Sequence, residues 1–305
     1  MPRHLLSLFD LKEDEIYELL ERAKTLKQAN KKGEKVHSLA GKSLAMVFEK
    51  NSTRTRVSFE IAMFELGGHA LNLSSSGSQL GRGETYEDTA RVLSRYVNGI
   101  MVRTFEQTKL ERMAEAASVP IINGLTDLYH PCQVLADLMT AYEDKGNIKS
   151  LHISYIGDGN NLANTWITAA IILGFKLSIA TPKGFFPSAM ILDKVKKDGY
   201  SNIMVTEDPK LAVKDVDVIN TDTWVSMGQE GKEEDNKKKV FKPYQVNAEL
   251  LSYAKKDAIV MHCLPAHRGD EITDEVMDGP QSRIFDEAEN RLHIQKAILE
   301  KFLTI

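Results

Sequence analysis

The chain of 305 residues is poor in cysteine and contains no long apolar run. Its two cysteines, Cys132 and Cys263, are too few for a disulfide framework, and they suit a reducing compartment. No stretch approaches the roughly 18 continuous apolar residues of a membrane span. Residues 1–4 do not lead into an apolar segment of the signal-peptide type. We therefore expect a cytoplasmic protein.

An excess of basic residues is also missing, because the formal net charge is -4. This charge argues against a protein that binds nucleic acid along a broad basic face. Hydrophobic residues make up 42% of the chain and charged residues 27%, which is an ordinary globular balance. The length suits one large or two medium domains. Any site for an anion must therefore be local.

Apolar residues follow helical and strand spacing in turn along the first half of the chain. A helix with apolar residues at helical spacing precedes a predicted strand at Ser43–Phe48. Ser52 is expected to cap the next helix, whose inner face we assign to Val57, Ile61 and Phe64. Strands that alternate with helices indicate a parallel sheet with helices on both faces. The other elements predicted here are helix Glu84–Val97, strand Gly99–Val102, helix Phe105–Ala117, strand Pro120–Ile122 and a helix that begins near Pro131.

A second series of the same kind begins near Ile148, so the predicted fold class is α/β with two domains, each a parallel sheet flanked by helices. The polar stretch Tyr142–Lys149 is the predicted hinge. We place the first domain at residues 1–146 and the second at residues 147–285, and we expect the last helix, residues 286–305, to pack back on the first domain. Strands of the second domain are predicted at Leu151–Ile156, Leu177–Ala180, Ile203–Val205, Val216–Asn220, Ala258–His262 and Arg283–Phe285, with a helix at Asn161–Leu173.

The segment Ser52-Thr53-Arg54-Thr55-Arg56 joins a predicted strand to the N-terminus of a helix. Free backbone N–H groups and the positive end of the helix dipole attract phosphate at such a place. The hydroxyl groups add donors, and the planar guanidinium of Arg54 can bind two phosphate oxygens. We interpret the segment as a phosphate site. The alternative is an ordinary helix cap followed by solvated arginines.

Two more polar side chains follow predicted strands of the first domain. His130 precedes Pro131 at the start of a helix, where an imidazole can donate to a carbonyl oxygen. A structural histidine is an equal alternative for His130. Arg103 ends a buried strand, and a bound anion would explain a charge at that position.

Two motifs in the second half are similar to cofactor sites but lack a required residue. The run Gly157–Asn161 is similar to a dinucleotide fingerprint, but Leu162 occupies the third glycine position. A nicotinamide cofactor is therefore not expected. His262, Cys263 and His267 offer at most three metal ligands, and no cysteine pair supports zinc, so a metal site is not expected either.

The motifs together resemble those of the aspartate/ornithine carbamoyltransferase family. Ser52–Arg56, His130–Gln133 and His262–Pro265 occur in the family's order and at family-like spacing, and the match spans nearly the whole chain. His262–Pro265 and Asp222–Gly228 are similar to the ornithine branch of the family. The resemblance implies a carbamoyl-phosphate domain followed by an amino-acid domain. It also implies a homotrimer, or a multiple of trimers, with active sites at subunit interfaces.

The resemblance implies a role for each residue that matches the family's motifs. The implied carbamoyl-phosphate residues are Ser52, Thr53, Arg54, Thr55, Gln79, Arg103, His130, Gln133, Cys263, Leu264 and Arg291, of which Gln79 would reach into a neighbouring subunit's site. The implied ornithine residues are Asn161, Asp222, Ser226 and Met227. The implied catalytic residues are Arg103, His130 and Cys263.

The resemblance further implies carbamoyl transfer to the δ-amine of L-ornithine, giving L-citrulline and phosphate in arginine metabolism. No cofactor is expected to take part, because phosphate is already a competent leaving group. The ligand set, the net charge and the lack of a long apolar run argue against a metal, a nucleic acid and a membrane in turn. Two alternatives stay open: a carbamoyltransferase for another amine, and a non-catalytic protein that binds a phosphorylated metabolite. A covalent intermediate on Cys263 is the less favoured mechanism. The polar segment Gln229–Lys239 is either a surface loop or a mobile lid.

Overall fold

The structure is a computed structural model that describes residues 2–74, 83–225 and 234–304. The chain divides into two compact units, Met1–Met139 with Glu289–Ile305, and Thr140–Ala288. The first division falls inside the helix that begins at Pro131, earlier than the boundary expected from the sequence. Among the described residues, no helix combines the length and apolar character needed to cross a bilayer.

The first unit contains a parallel four-stranded sheet in the order β2-β1-β3-β4. Its strands are β1 (Ser43–Phe48), β2 (His69–Ser74), β3 (Gly99–Arg103) and β4 (Ile121–Leu125). The helices up to the division are α1 (Glu13–Lys31), α2 (Thr53–Glu65), α3 (Tyr86–Leu93), α4 (Gln107–Ala116) and α5 (Pro131–Lys145).

The central strands of this sheet are buried on both faces. Ala45 and Val47 of β1 pack into a core that includes α3 and α4. Leu44 and Met46, which point to the opposite face, are also fully buried. Burial on both faces explains why β1 is a continuous apolar run and was predicted with its observed bounds.

The second unit contains a parallel five-stranded sheet in the order β7-β6-β5-β8-β9. Its strands are β5 (His152–Ile156), β6 (Lys176–Ala180), β7 (Ile203–Thr206), β8 (Val218–Thr221) and β9 (Ile259–His262). The remaining helices are α6 (Asn161–Leu173), α7 (Ala189–Asp198), α8 (Pro209–Ala212), α9 (Glu234–Phe241), α10 (Ala248–Leu251), α11 (Asp274–Met277) and α12 (Ile284–Leu303), the last of which continues into the first unit. The two parallel sheets flanked by helices confirm the predicted fold class.

Helix α2 buries a different face from the predicted one. Ser52 does cap the helix, because its Oγ accepts a hydrogen bond from the Thr55 N–H at 3.2 Å. Val57, Ile61 and Phe64, however, are 49%, 39% and 74% exposed, so their assignment to the inner face is wrong. The residues that α2 does bury are Thr55, Phe59, Ala62 and Met63.

Two strand predictions also differ from the structure. The edge strand β2 was not predicted, because most of its side chains are exposed and it lacks a buried apolar run. The predicted strand Arg283–Phe285 is wrong, since α12 begins at Ile284. In the described residues, Ser282, just before this stretch, forms an isolated bridge with Val260 of β9.

Each sheet has one place at which successive strands add in opposite directions. This place lies between β1 and β3 in the first sheet and between β5 and β8 in the second. Ligands bind outside the carboxyl ends of the strands at such points. The segments found there are residues 49–52 and Arg103 in the first unit, and Gly157–Asn160 and Asp222 in the second.

Candidate functional site

Thr55 lies at the centre of a group of polar side chains beyond the carboxyl ends of β1 and β3. Its Oγ1 accepts hydrogen bonds from Arg103 Nη1 at 3.2 Å, from Arg291 Nη2 at 2.9 Å and from Ser52 Oγ at 3.0 Å. Thr55 is fully buried, and each arginine is only 5% exposed. Two guanidinium groups, one from β3 and one from α12, thus meet at one hydroxyl. Such a concentration of positive charge suits an anion.

Gln133 of α5 fixes the other side of Arg291. Its Oε1 accepts from Arg291 Nη1 at 2.9 Å, while its Nε2 donates to Asp137 Oδ1 at 2.7 Å. Gln133 and Asp137 are both fully buried. Asp137 therefore orients the amide so that its oxygen faces the guanidinium. Asp137 escaped the sequence analysis, although its position four residues after Gln133 places both on one helix face.

His130 is buried beside the two arginines. Burial, followed by repulsion from Arg291 and from Arg103, lowers the pKa of His130 well below its ordinary value of 6.5. The imidazole is therefore neutral at pH 7. A neutral ring has one N–H donor, which can bind a carbonyl oxygen without adding a charge.

The N-terminal turn of α2 presents its remaining polar groups to solvent. Thr53 and Arg54 are exposed, and Ser52 is partly exposed. The first turn of a helix leaves backbone N–H groups without intrahelical partners, so they are available to an anion. Arg56 instead forms an exposed ion pair with Glu60 at 3.3 Å, one turn further along the helix.

Charged side chains fix the loop that leads from β1 into α2. Glu49 accepts hydrogen bonds from the Thr104 hydroxyl and, at 2.5 Å, from the Tyr86 hydroxyl. Lys50 forms an ion pair with Asp127. These bonds tie the loop to the segments that follow β3 and β4.

A buried lysine supports the start of the C-terminal helix in the first unit. Lys27 of α1 is 7% exposed, and its Nζ donates to Asn290 Oδ1 at 2.8 Å. Asn290 directly precedes Arg291, so this bond helps to place the guanidinium. The sequence contains a signal for the burial of Lys27, which adjoins the apolar stripe of α1 next to Leu26, but none for its partner Asn290.

In the second unit, Asp222 collects donors from the loops that follow β5 and β9. Its Oδ2 accepts from Asn160 Nδ2 at 2.8 Å, and its Oδ1 accepts from Cys263 Sγ at 3.0 Å. Asn160 also caps α6, because its Oδ1 accepts from the Leu162 N–H at 2.9 Å. Asn161, the predicted ornithine contact, is the first residue of α6. The contact of Asn160 with Asp222 could not be read from the sequence.

Hydrogen bonds of His262 stabilise the loop that contains Cys263 and Leu264. Its Nδ1 accepts from the Leu264 N–H at 2.9 Å, so the proton resides on Nε2, which lies 3.0 Å from Glu271 Oε1. His262 and Glu271 are almost completely buried. The bond to His262 holds Leu264 at a φ of 57°, in the left-handed region that a leucine rarely occupies.

Asp222, His262 and Cys263 form the group of possible metal ligands among the residues that the structure describes, with ligand atoms within 4.8 Å of one another. His267, a candidate ligand from the sequence, is not in this group. Both ring nitrogens of His262 already have partners, and Cys263 Sγ already bonds Asp222. A metal ion would have to displace at least one of these bonds, so the donor set does not favour one.

Several predicted residues lie outside the described part of the chain. They are Gln79, Ser226 and Met227. The described portion of the predicted lid, Gln229–Lys239, begins at Glu234, where α9 starts. The predicted roles of all these residues stay predictions.

The two halves of the chain match two domains of one family. Residues 3–143 match the model described as "Aspartate/ornithine carbamoyltransferase, carbamoyl-P binding domain". Residues 149–302 match "Aspartate/ornithine carbamoyltransferase, Asp/Orn binding domain". Thr55, Arg103, His130 and Gln133 lie in the first match, whereas Arg291 and the Asp222 group lie in the second.

Individual relatives are similar over almost their full lengths. The ornithine carbamoyltransferase of Syntrophus aciditrophicus is 54% identical over 300 residues, which cover 98% of this chain and 99% of the relative. That of Desulfotalea psychrophila is 55% identical over 303 residues, covering 99% and 100%. The solved structure of ornithine carbamoyltransferase from Pyrococcus furiosus has a TM-score of 0.93 at 51% identity, covering 98% of this chain and 96% of that one.

Proposed function

Because the chain belongs to the aspartate/ornithine carbamoyltransferase family, we propose that it transfers the carbamoyl group of carbamoyl phosphate to the δ-amine of L-ornithine. The products are L-citrulline and phosphate, which places the reaction in arginine metabolism. The observation that carries the proposal is the convergence of Arg103 and Arg291 on Thr55, beside a neutral His130, in the unit that matches the carbamoyl-phosphate domain.

Carbamoyl phosphate needs partners for a phosphate and for a carbonyl oxygen. We assign the phosphate to Ser52, Thr53 and Arg54, since the N-terminus of α2 offers N–H donors and a positive dipole end. We assign the carbonyl oxygen to Thr55, Arg103 and His130. These donors are already oriented, so they can stabilise the negative charge that grows on that oxygen without reorganising.

The groups around Asp222 suit an amino acid that carries two ammonium groups. We assign the α-ammonium to Asp222 and the reacting nitrogen to Cys263 and the Leu264 carbonyl. The δ-ammonium of free ornithine has a lysine-like pKa near ~10, so it must lose a proton before its nitrogen attacks. The attack forms a tetrahedral intermediate, and phosphate then leaves. No bond to Cys263 Sγ is required in this scheme.

A steady-state assay with carbamoyl phosphate and a panel of amines tests the proposed reaction. We expect turnover with L-ornithine and formation of citrulline, and little or none with L-aspartate or putrescine. Turnover with another amine would reassign the acceptor. Binding of carbamoyl phosphate without turnover of any amine would contradict the enzyme and favour a binding protein. A carbamoyl group trapped on Cys263 would overturn the direct attack.

We also propose that the functional form is a homotrimer or a multiple of trimers, as the family resemblance implies. An exposed apolar face in the first unit supports contact with a second copy of the chain. Val57, Ile61 and Phe64 of α2 and Leu71 of the edge strand β2 are all at least 39% exposed. Such clusters of exposed apolar side chains mark interaction surfaces, and an open strand edge needs cover.

Light scattering coupled to size exclusion tests the trimer. We expect a trimeric mass for the native chain and a smaller assembly for Phe64→Glu, because a buried charge destabilises an apolar interface. Met190→Glu, at a 59% exposed position in the second unit, is the matched control and should stay trimeric. A monomeric native chain, or a trimeric Phe64→Glu variant, would contradict this assignment.

A cytoplasmic location, proposed from the two free cysteines, is tested by cell fractionation.

A further inference from the structure

Lys237 of α9 does not behave like a surface lysine. Its Nζ lies 2.6 Å from Asp158 Oδ2, and both side chains are only 14% exposed. The ammonium also lies 5.4 Å from the ring centre of Phe185 and 5.6 Å from that of Phe241. A carboxylate and two aromatic rings thus surround one cation, and shielding from water strengthens each of these attractions.

The neighbouring lysines of the same helix differ from Lys237. Lys239 is exposed, and Lys238 pairs with Asp270 at 3.1 Å where about a third of each side chain is exposed. Exposed pairs of this kind contribute little to stability because water and salt screen them. A role in solubility therefore does not explain why Lys237 is buried.

The partner of Lys237 belongs to the loop that shapes the amino-acid pocket. The Asp158 carbonyl accepts the Asn160 N–H at 2.7 Å, and the Gly159 N–H donates to the Phe185 carbonyl at 2.9 Å. Asn160 in turn donates to Asp222 at 2.8 Å. A short chain of bonds therefore leads from the ammonium, through Asp158 and Asn160, to Asp222.

Charge balance points to the same connection. Burial raises the pKa of Asp158, the Lys237 ammonium opposes that rise, and repulsion from Asp222 adds to it. The two carboxylates therefore lie close enough to repel each other. Lys237 neutralises Asp158 and leaves Asp222 as the anion that meets the ammonium group of a substrate.

We propose that Lys237 and Asp158 form a positioning pair that fixes the Gly157–Asn160 loop and thereby orients Asp222 toward the amino-acid substrate. The proposal rests on the proposed function. Neither residue contacts the substrate in this scheme. Their effect reaches the substrate only through Asn160 and Asp222, so it should appear in the binding of ornithine and not in the binding of carbamoyl phosphate.

A double-mutant cycle with a matched control tests the pair. Lys237→Gln and Asp158→Asn should each raise the ornithine KM by about tenfold. The ornithine KM of the double variant should be no higher than that of either single variant, because the effects of coupled residues do not add. The KM for carbamoyl phosphate should stay within about twofold of the native value, as should every parameter of the exposed control Lys239→Gln. Lys237→Arg keeps the charge and should restore most of the ornithine affinity.

Other outcomes would contradict the pair, the proposed function or both. Lys237→Gln kinetics equal to those of Lys239→Gln would remove the pair from the pocket. Equal rises in both KM values, or additive losses in the double variant, would reduce the pair to a structural contact. If the native chain binds ornithine in calorimetry but makes no citrulline, the proposed function fails, and the same cycle is then measured on the dissociation constant. A native chain that binds no ornithine would contradict both the positioning pair and the proposed function.

Discussion

At the scale of single residues, the arginines of the first unit differ in how firmly they are held. Arg103 and Arg291 are buried on Thr55, whereas Arg54 is exposed at the first turn of α2. Replacement of either buried arginine would disturb packing as well as binding. Arg54 is therefore the position at which a loss of phosphate binding can be separated from a loss of fold.

Arg54→Ala should lower kcat/KM for carbamoyl phosphate by about 10- to 150-fold, since a charge-assisted hydrogen bond contributes about 1.5–3 kcal/mol. The melting temperature should stay near the native value because the side chain is exposed. Steady-state kinetics and thermal denaturation check these two expectations. Arg56→Ala, which removes only an exposed pair with Glu60, is the control. Native-like kinetics for Arg54→Ala would exclude Arg54 from the site.

Gly159→Ala should lower stability and raise the ornithine KM. A Cβ at Gly159 would lie 2.3 Å from the Phe186 carbonyl carbon and 2.3 Å from the Pro187 nitrogen, so one backbone segment must move. Asn160 and its bond to Asp222 would move with it. In Gly184→Ala, the control, the new Cβ meets nothing within 4 Å and only the φ of +89° is strained. Equal effects of both substitutions on the ornithine KM would contradict the steric explanation.

The residues that could be read from the sequence are those whose type and position carry chemistry by themselves. Arg103 at a strand end and Ser52 at a helix start are examples. Asn160 and Lys27 are not among the predicted residues because their roles depend on partners that only the tertiary fold brings near, whereas Asp137 contacts Gln133 one turn away on the same helix. A buried polar residue needs such a partner, but its identity is not encoded locally.

At the scale of elements, strands that are buried on both faces were easier to predict than the exposed edge strand β2. β1 is buried on both faces, so its sequence is apolar throughout, whereas β2 at the edge is mostly exposed and escaped notice. In α2 both faces carry apolar residues at helical spacing. Periodicity therefore predicts the helix but not which face meets the core, and the predicted inner residues Val57, Ile61 and Phe64 lie on the exposed face.

The bond between α1 and α12 gives a prediction at this scale. Lys27→Met should raise the KM for carbamoyl phosphate, because the hydrogen bond from Lys27 Nζ to Asn290 Oδ1 is lost and the turn that carries Arg291 loses an anchor. Loss of this buried hydrogen bond to a charged group should also lower the free energy of unfolding by about 1.5–3 kcal/mol. Kinetics and urea denaturation measure the two effects. Lys31→Met, at an exposed position of the same helix, should change neither. A native KM in Lys27→Met would show that Arg291 does not depend on this contact.

At the scale of the whole molecule, the sign of the net charge and the sign of the proposed site are opposite. The chain carries -4 overall, yet Arg103 and Arg291 meet at Thr55 in the first unit. An anionic substrate is therefore bound by local geometry and not by a broad basic surface, because exposed charges more than about 8 Å away are screened at physiological salt. We accordingly expect the KM for carbamoyl phosphate to depend only weakly on salt at and above physiological ionic strength, which steady-state kinetics over that range would measure. A steep dependence would indicate long-range steering.

Both units should lose stability as the pH falls below about 6.5. In the folded chain, burial lowers the pKa of His152 in the second unit to about 4, and it lowers the pKa of His293 to about 4 and that of His130 well below its ordinary range in the first unit. Unfolded histidines titrate near ~6.5, so between about pH 6.5 and 4 the unfolded state binds protons that the folded state resists. The histidine contribution to the free energy of unfolding should therefore decrease as the pH is lowered from about 6.5 to 4, and it should be nearly constant above that window. Urea denaturation at a series of pH values measures the slope.

His152→Gln, which keeps a hydrogen-bonding group beside Ser178, should flatten the slope of the second unit only. A free energy of unfolding that is constant from pH 7.5 to 5, or a slope that His152→Gln leaves unchanged, would show that these rings are accessible to protons in the folded state.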